Sequence, residues 1–169
     1  MFSSPFPAVS PDLPMSQTAL SATSHAPGAG APAGDIHERV TLVEAGGRTV
    51  GIPLTSVAAV LTPRETVRLP GASAPVVGVC NADGRIVSVV DAGLALAGAP
   101  VPHTPDTRLV VLDHRGLAMA LLVAAVRGIV PAALERGSGD AALAGGFRTE
   151  ETEGVLLDLE FLATRCFGG

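Results

Sequence analysis

The sequence predicts an all-β domain of short strands behind an N-terminal tail that does not fold. Three observations carry this. From Glu38 onward, short runs rich in β-branched residues alternate with turns that contain Gly, the pattern of antiparallel hairpins. The pattern then repeats itself within the chain, so the domain is built from two similar halves. Residues 1–34 hold Pro5, Pro7, Pro11, Pro14, Pro27 and Pro32, many Ser and Ala, one acid and no Arg. Such a stretch cannot bury enough apolar surface to offset the entropy of ordering it.

The elements follow in order. The first residues carry no positive charge and Pro interrupts each apolar run, which argues against a secretory signal. A hairpin is expected where Val40–Glu44 and Thr49–Ile52 flank Ala45-Gly46-Gly47-Arg48. The second has Val76–Cys80 and Ile86–Val90 flanking Asn81-Ala82-Asp83-Gly84-Arg85, and the third has Leu109–Leu112 and Leu117–Val123 flanking Asp113-His114-Arg115-Gly116. Asp91 and Asp158 stand at steps from period-two to helical patterning, where a carboxylate caps free backbone N–H groups. They are read as N-caps of short helices at Leu94–Ala97 and Phe161–Thr164. A shift of about 69 positions lays Gly47 on Gly116, Ile52 on Leu121, Val57 on Val126 and Val60 on Ile129, and a slightly smaller one lays Val89-Val90-Asp91 on Leu156-Leu157-Asp158. Two subdomains are expected, about 38–98 and 108–165, packed on each other within one domain over 35–169. At ~60 residues each is near the lower limit for a stable core of its own.

Composition removes whole classes of function. The 169 residues are 47% hydrophobic and 16% charged with a net charge of −5, so no basic field exists to hold a phosphate backbone, and nucleic acid is excluded as a partner. All eleven basic residues are Arg, which excludes a Schiff-base or P-loop lysine. The longest uncharged apolar stretch, Gly116–Val126, has 11 residues, short of the ~20 a membrane helix needs. A soluble cytoplasmic protein without direct membrane insertion is expected. Cys80 and Cys166 match no metal or redox spacing and read as packed thiols.

No constellation of catalytic groups emerges. His25, His37, His103 and His114 lack ligand partners at useful spacing. The Gly-rich segment from Gly137 to Gly146 lacks a following Lys and reads as a flexible loop. No GxSxG elbow surrounds any serine. The chain is therefore read as no enzyme, without metal or cofactor, and the informative surface becomes the rim of the strands, where hairpins and edges dock onto other proteins.

One stretch is more specific. Leu69-Pro70, Gly78-Val79, Asn81, Gly84 and Val89-Val90-Asp91 follow one another in order and spacing as in the central motif of the CheW-like adaptor family of bacterial chemosensory systems, which this chain resembles. The resemblance implies two side-by-side SH3-like five-stranded β-barrels with short helices. It also implies a two-component signalling role in chemotaxis: bridging the cytoplasmic tip of a methyl-accepting chemoreceptor to the regulatory domain of a CheA-type histidine kinase, in the cytoplasm and recruited to membrane-associated receptor arrays. Carried over position by position, the receptor-binding residues are Val57, Gly78, Asn81, Asp83, Gly84 and Arg85, and the kinase-binding residues are Ala59 and Val60. The chain departs from the family at the hairpin tip, where Asp83 replaces an Arg, with Arg85 two residues on as a partial replacement. Further departures are Ala59 for an acid and Gly93 for the Arg of Asp-Leu-Arg. These substitutions suit a diverged adaptor, including one of a non-motility pathway. A small-ligand-binding β-barrel module is the alternative from another class.

If residues 1–34 add nothing to the core, deleting them leaves the thermal unfolding midpoint within a few degrees of the full chain. Loss of cooperative unfolding in the truncated protein contradicts this.

Overall fold

Ten strands and two helices follow β1 (Ile36–Ala45), β2 (Arg48–Pro53), a 3-10 turn (Leu54–Ser56), β3 (Val57–Leu61), β4 (Val76–Ala82), β5 (Arg85–Asp91), α1 (Ala92–Ala97), β6 (Arg108–His114), β7 (Leu117–Val123), β8 (Ala125–Arg136), β9 (Leu143–Arg148), β10 (Glu153–Leu157) and α2 (Leu159–Phe167). The computed structural model describes residues 36–72, 74–136 and 143–168. The expected tail, 1–34, lies outside them, as does most of the Gly-rich segment, 137–142.

All three expected hairpins form, each through a two-residue turn. Gly46-Gly47 (φ +58° and +74°), Asp83-Gly84 (φ +51° and +90°) and Arg115-Gly116 (φ +51° and +82°) all have positive φ at both positions, the I′ geometry whose twist matches that of the flanking strands. All three turns are thus shorter than expected, since Ala45 and Arg48 and likewise Asp113 and His114 belong to strands. Asn81 and Arg85 belong to β4 and β5, and Ala82 pairs with Arg85. Both expected caps are present: the Asp91 Oδ1 accepts the Leu94 N–H at 3.0 Å, and the Asp158 Oδ1 accepts the Phe161 N–H at 2.9 Å.

The repeat is real, but each repeat does not make its own sheet. One sheet is a closed barrel in the order β1-β2-β10-β9-β8, and the other runs β3-β6-β7-β5-β4. Each takes a hairpin from one repeat and three strands from the other, through the parallel pairs β2 with β10 and β5 with β7. The expected contiguous subdomains 38–98 and 108–165 therefore do not coincide with the sheets. Alternation marks which face of a strand is buried and carries no record of which strand lies beside it. Equivalent irregularities in the two repeats support the alignment. Ala58 and Arg127 are bulged out where β3 meets β6 and β8 meets β1, and Val77 and Ala144 where β4 meets β5 and β9 meets β10.

The core has three layers. Val40, Leu42, Phe147 and Leu156 fill the first barrel; Cys80, Val87, Val89, Leu109 and Leu122 line the inside of the second sheet. Between them lies the largest cluster, where Val43, Val50 and Ile52 meet Val90, Val110, Leu112, Met119 and Leu121, with Leu159 and Leu162 of α2 closing one side. Each such side chain contributes about 1.5–3 kcal/mol on burial, so the middle layer binds the two sheets into one unit.

The two sheets differ in closure. β8 is long enough, at 12 residues, to pair with β1 over its first part and β9 over its last. Its counterpart β3 ends at Leu61, Pro63 follows, and among the described residues the chain after it meets β4 only through one bridge between Val67 and Val79, with N–H to O distances of 2.8 Å in both directions.

Cutting the chain between Gly98 and Arg108 leaves two fragments that each lack strands of both sheets. Neither alone gives dispersed amide proton spectra, while mixing the two restores them; dispersion from either isolated fragment contradicts the exchanged architecture.

Candidate functional site

Every sequence-predicted docking residue lies on the second sheet, on its edge strand β3 or on the β4–β5 hairpin at the opposite edge. The loop after β3 runs from one edge to the other, where Val67 is bridged to Val79 of β4.

Their surroundings separate them. Val57 is half-buried and packs against the central cluster, and Ala59 packs against the lining of the second sheet. Val60, next along β3, is 43% exposed. Gly78 is buried: a Cβ there would stand 2.3 Å from the Val67 carbonyl oxygen, and its φ is +152°. The close approach that this glycine permits is therefore taken by Val67 of the same chain. Asn81 is exposed, and its Oδ1 accepts the Gly84 N–H at 2.7 Å, holding the turn. Asp83, Gly84 and Arg85 are exposed at the tip.

The charges at the tip are matched within the chain. Arg64 reaches Asp83 at 3.3 Å, and Arg85 reaches Asp113 at 3.6 Å. All four side chains are well exposed, so each pair contributes less than about 1 kcal/mol to stability; their effect is on the potential a partner meets. The Asp83 reversal is thus accompanied by a cation on the loop beside it, and Arg85 is turned toward β6.

Sequence reasoning missed the apolar side chains next to this tip. Ile86, opposite Asn81, is 69% exposed, and Val67, opposite Val79, is 63% exposed. The register of β5 with β7, Ser88 beside Met119, brings Ile86 alongside Leu117, another exposed apolar residue. The face they share continues the one that packs on the first barrel at Val90 and Leu121. Ile129, also missed, is 47% exposed on β8. The signal for it was present, since the repeat lays Val60 on Ile129.

Chemistry is sparse among the described residues. No group of three or more His, Cys, Asp or Glu side chains is placed to hold a metal ion, and no helix is long and apolar enough to cross a membrane. Burial pushes the Cys80 and Cys166 thiols above the ordinary cysteine value, with Arg64 and Arg165 acting weakly the other way, so both stay protonated and poorly nucleophilic near neutral pH.

A family model described as the CheW-like domain matches residues 39–165, the whole of this double-sheet unit but its first few residues and its C-terminal end. The chain belongs to the CheW-like domain family. Among solved structures it is similar to the scaffolding protein TtCheW from Thermoanaerobacter tengcongensis, with a TM-score of 0.67 and 19% identity over 75% of this chain and 92% of that one. At that identity the likeness is one of fold. No curated protein matches the sequence. The all-β class and the two five-stranded units implied by the resemblance are those of this CheW-like domain, with one of the two left open at its edge.

Gly78→Ala is expected to destabilise the protein by about 2–4 kcal/mol, because the new methyl group meets a backbone oxygen in a conformation L-residues avoid. Asp83→Ala, which removes only an exposed ion pair, changes stability by less than about 1 kcal/mol. Urea unfolding of both variants checks the contrast; equal effects would contradict it.

Proposed function

We propose that this CheW-like chain is a non-enzymatic adaptor that couples the cytoplasmic tip of methyl-accepting chemoreceptors to the regulatory domain of a CheA-type histidine kinase. It works in the cytoplasm and is recruited to membrane-associated receptor arrays. The observation that carries the reading is the duplicated exposure of an apolar residue, Val60 on β3 of the second sheet and Ile129 on β8 of the first. An adaptor needs more than one docking face on a rigid body, and the repeat supplies equivalent faces on both sheets. A third surface, the β4–β5 tip with Asn81, Asp83 and Ile86, has a different character: apolar side chains beside paired charges, the composition of a modest, reversible interface.

In this reading Val60 faces the kinase, with Ala59 beside it packed inward as support, and the hairpin tip from Asn81 to Ile86 faces the receptor. Val57 and Gly78 support these surfaces from within. The Arg64–Asp83 pair favours a receptor that has diverged together with this chain, presenting its own cation toward Asp83, and it suits an output other than motility.

Calorimetry with a CheA-type kinase regulatory domain and a receptor tip from the same genome is expected to give micromolar affinities for both. Val60→Asp weakens the kinase arm at least about tenfold and spares the receptor arm, while Ile86→Asp does the reverse. Asp83→Arg, which sets two guanidinium groups side by side with Arg64, weakens receptor binding by up to ~1 kcal/mol and more so at low salt. Absence of heat with either partner overturns the adaptor reading, and equal loss of both arms in each variant overturns the division of surfaces.

A further inference from the structure

The interior of the second sheet is packed without the aromatic ring that fills the first. In the first barrel Phe147 is buried so closely that a Cβ at Gly51 or Gly154 would lie 2.7 Å from its ring. The shift of 67 positions that lays Leu156 on Val89 also lays Phe147 on Cys80. The second interior therefore has a thiol at the position of the plug, and the remainder of its lining is Val, Leu and Ala without an aromatic. β3 stops at Leu61 and, among the described residues, the chain is bridged to β4 only at Val67 of the following loop, opposite Val79, so loops and not a paired strand cover this end of the sheet. A cavity of about 880 Å³ opens there, between the loop after β3 and the loop before β6, with Val77, Val89, Leu109 and Leu122 among its walls. That is within the size range of sites for small organic ligands.

The charged and ionisable groups of this cavity are few, and those at its mouth are basic. Arg64, Arg68 and His103 line it, and Asp91 is its one acid. The Asp91 carboxylate is buried and already accepts the Leu94 N–H at 3.0 Å and the Val101 N–H at 3.1 Å, so it does not compete for a cationic group. Arg64 is held by Asp83 at 3.3 Å. Arg68 is exposed, and among the described residues no carboxylate lies within ion-pair distance of it. His103 sits on a loop fixed on both sides by the buried Thr107, whose hydroxyl donates to the Pro102 carbonyl at 2.9 Å and accepts the Thr104 N–H at 2.8 Å. A positive mouth over an apolar interior, in a chain of net charge −5, is a local reversal of the overall field.

We propose that this cavity binds a small straight-chain carboxylate, its alkyl chain against Leu69, Val76 and Val77 and its head group at the mouth on Arg68 beside His103. A polar head cannot follow the chain inward, since those walls offer it no partner. The planar fork of one guanidinium suits a single carboxylate. The site is separate from the Val60, Ile129 and Ile86 surfaces of the adaptor reading, so its failure leaves that reading untouched.

The test titrates the full chain with decanoate below its aggregation concentration, and with decanol as the uncharged control. Decanoate is expected to bind one molecule per chain, to raise the unfolding midpoint, and to exceed decanol in affinity at least about tenfold. Arg68→Glu, at an exposed position, lowers decanoate affinity at least about tenfold and leaves decanol binding unchanged. Val77→Phe, which fills the cavity from its wall with an aromatic ring, abolishes binding of both, with circular dichroism showing that the variant is folded; should it not fold, the Arg68→Glu comparison decides alone. Absence of saturable decanoate binding, or decanoate affinity unchanged in Arg68→Glu, overturns the proposal.

Discussion

The exchange of hairpins between the two repeats is the constraint on which the rest of the molecule depends. The β1–β2 hairpin completes a barrel whose other three strands begin at Ala125, and the β6–β7 hairpin completes a sheet whose other three strands end at Asp91. The second sheet is drawn from one continuous stretch, 57–123, that crosses the boundary between the repeats, whereas the barrel closes only when the two ends of the domain meet, through the parallel joint of Val50 with Val155. High sequence separation of this kind slows folding because the closure entropy precedes the reward. In return the central layer is common property: Ile52 of one repeat and Leu121 of the other are buried in the same cluster. Asp91 marks the turning point in the first repeat. Its carboxylate starts α1 at Leu94 and fastens the chain ten residues on at Val101, so the strand end, the helix and the path toward β6 are fixed by one side chain.

The legible part of the fold is the part that neighbours decide. Gly46-Gly47, Asp83-Gly84 and Arg115-Gly116 specify their turns locally, and Asp91 and Asp158 specify their caps within three residues, so hairpins and helix starts stood out in the sequence. Even the duplication could be read, since Gly47 and Gly116 keep their spacing to Ile52 and Leu121. What could not be read was partnership between strands. Val50 alternates in the same way whether it lies beside Val89 of its own repeat or Val155 of the other, and proximity in sequence favoured the wrong answer. Proline was equally ambiguous. Pro63 follows the end of β3, whereas Pro131 lies within β8 opposite Arg39.

The site was legible to a smaller degree, for a related reason. A motif identifies positions that matter without saying whether they matter to a partner or to the fold. Gly78 has its place because the Val67 carbonyl lies over it, and Val57 because it packs on the central cluster. The significance of Asp83 depends on Arg64, nineteen residues earlier on a separate element, which no local pattern links to it. Ile86 fits the alternation of a core strand, and Val90, on the same face, is indeed buried. Ile86 is exposed because the first barrel does not extend over that end of β5. Exposure of this sort is a property of the packed pair of sheets and is invisible to either strand alone.

A duplicated domain with two identical faces would bind one partner twice, and an adaptor must bind different ones. The chain breaks its own symmetry at the required places. Beside Val60 the bulged residue is Ala58; beside Ile129 it is Arg127, whose guanidinium is hydrogen-bonded to Glu44 at 2.8 Å through Nε. The two faces thus share an apolar centre and differ in their rims, one uncharged and one bearing an ion pair, and rim charges govern which partner is admitted more than how tightly it is held. Closure differs in the same sense. The first barrel is sealed by β8 and filled by Phe147, which makes Ile129 part of a rigid wall, whereas Val60 lies on an edge strand whose neighbouring loop carries Arg64 to the hairpin tip. Displacing Arg64 from Asp83 therefore acts on the edge next to Val60 as well as on the tip, so these two parts of the second sheet are joined through one exposed ion pair.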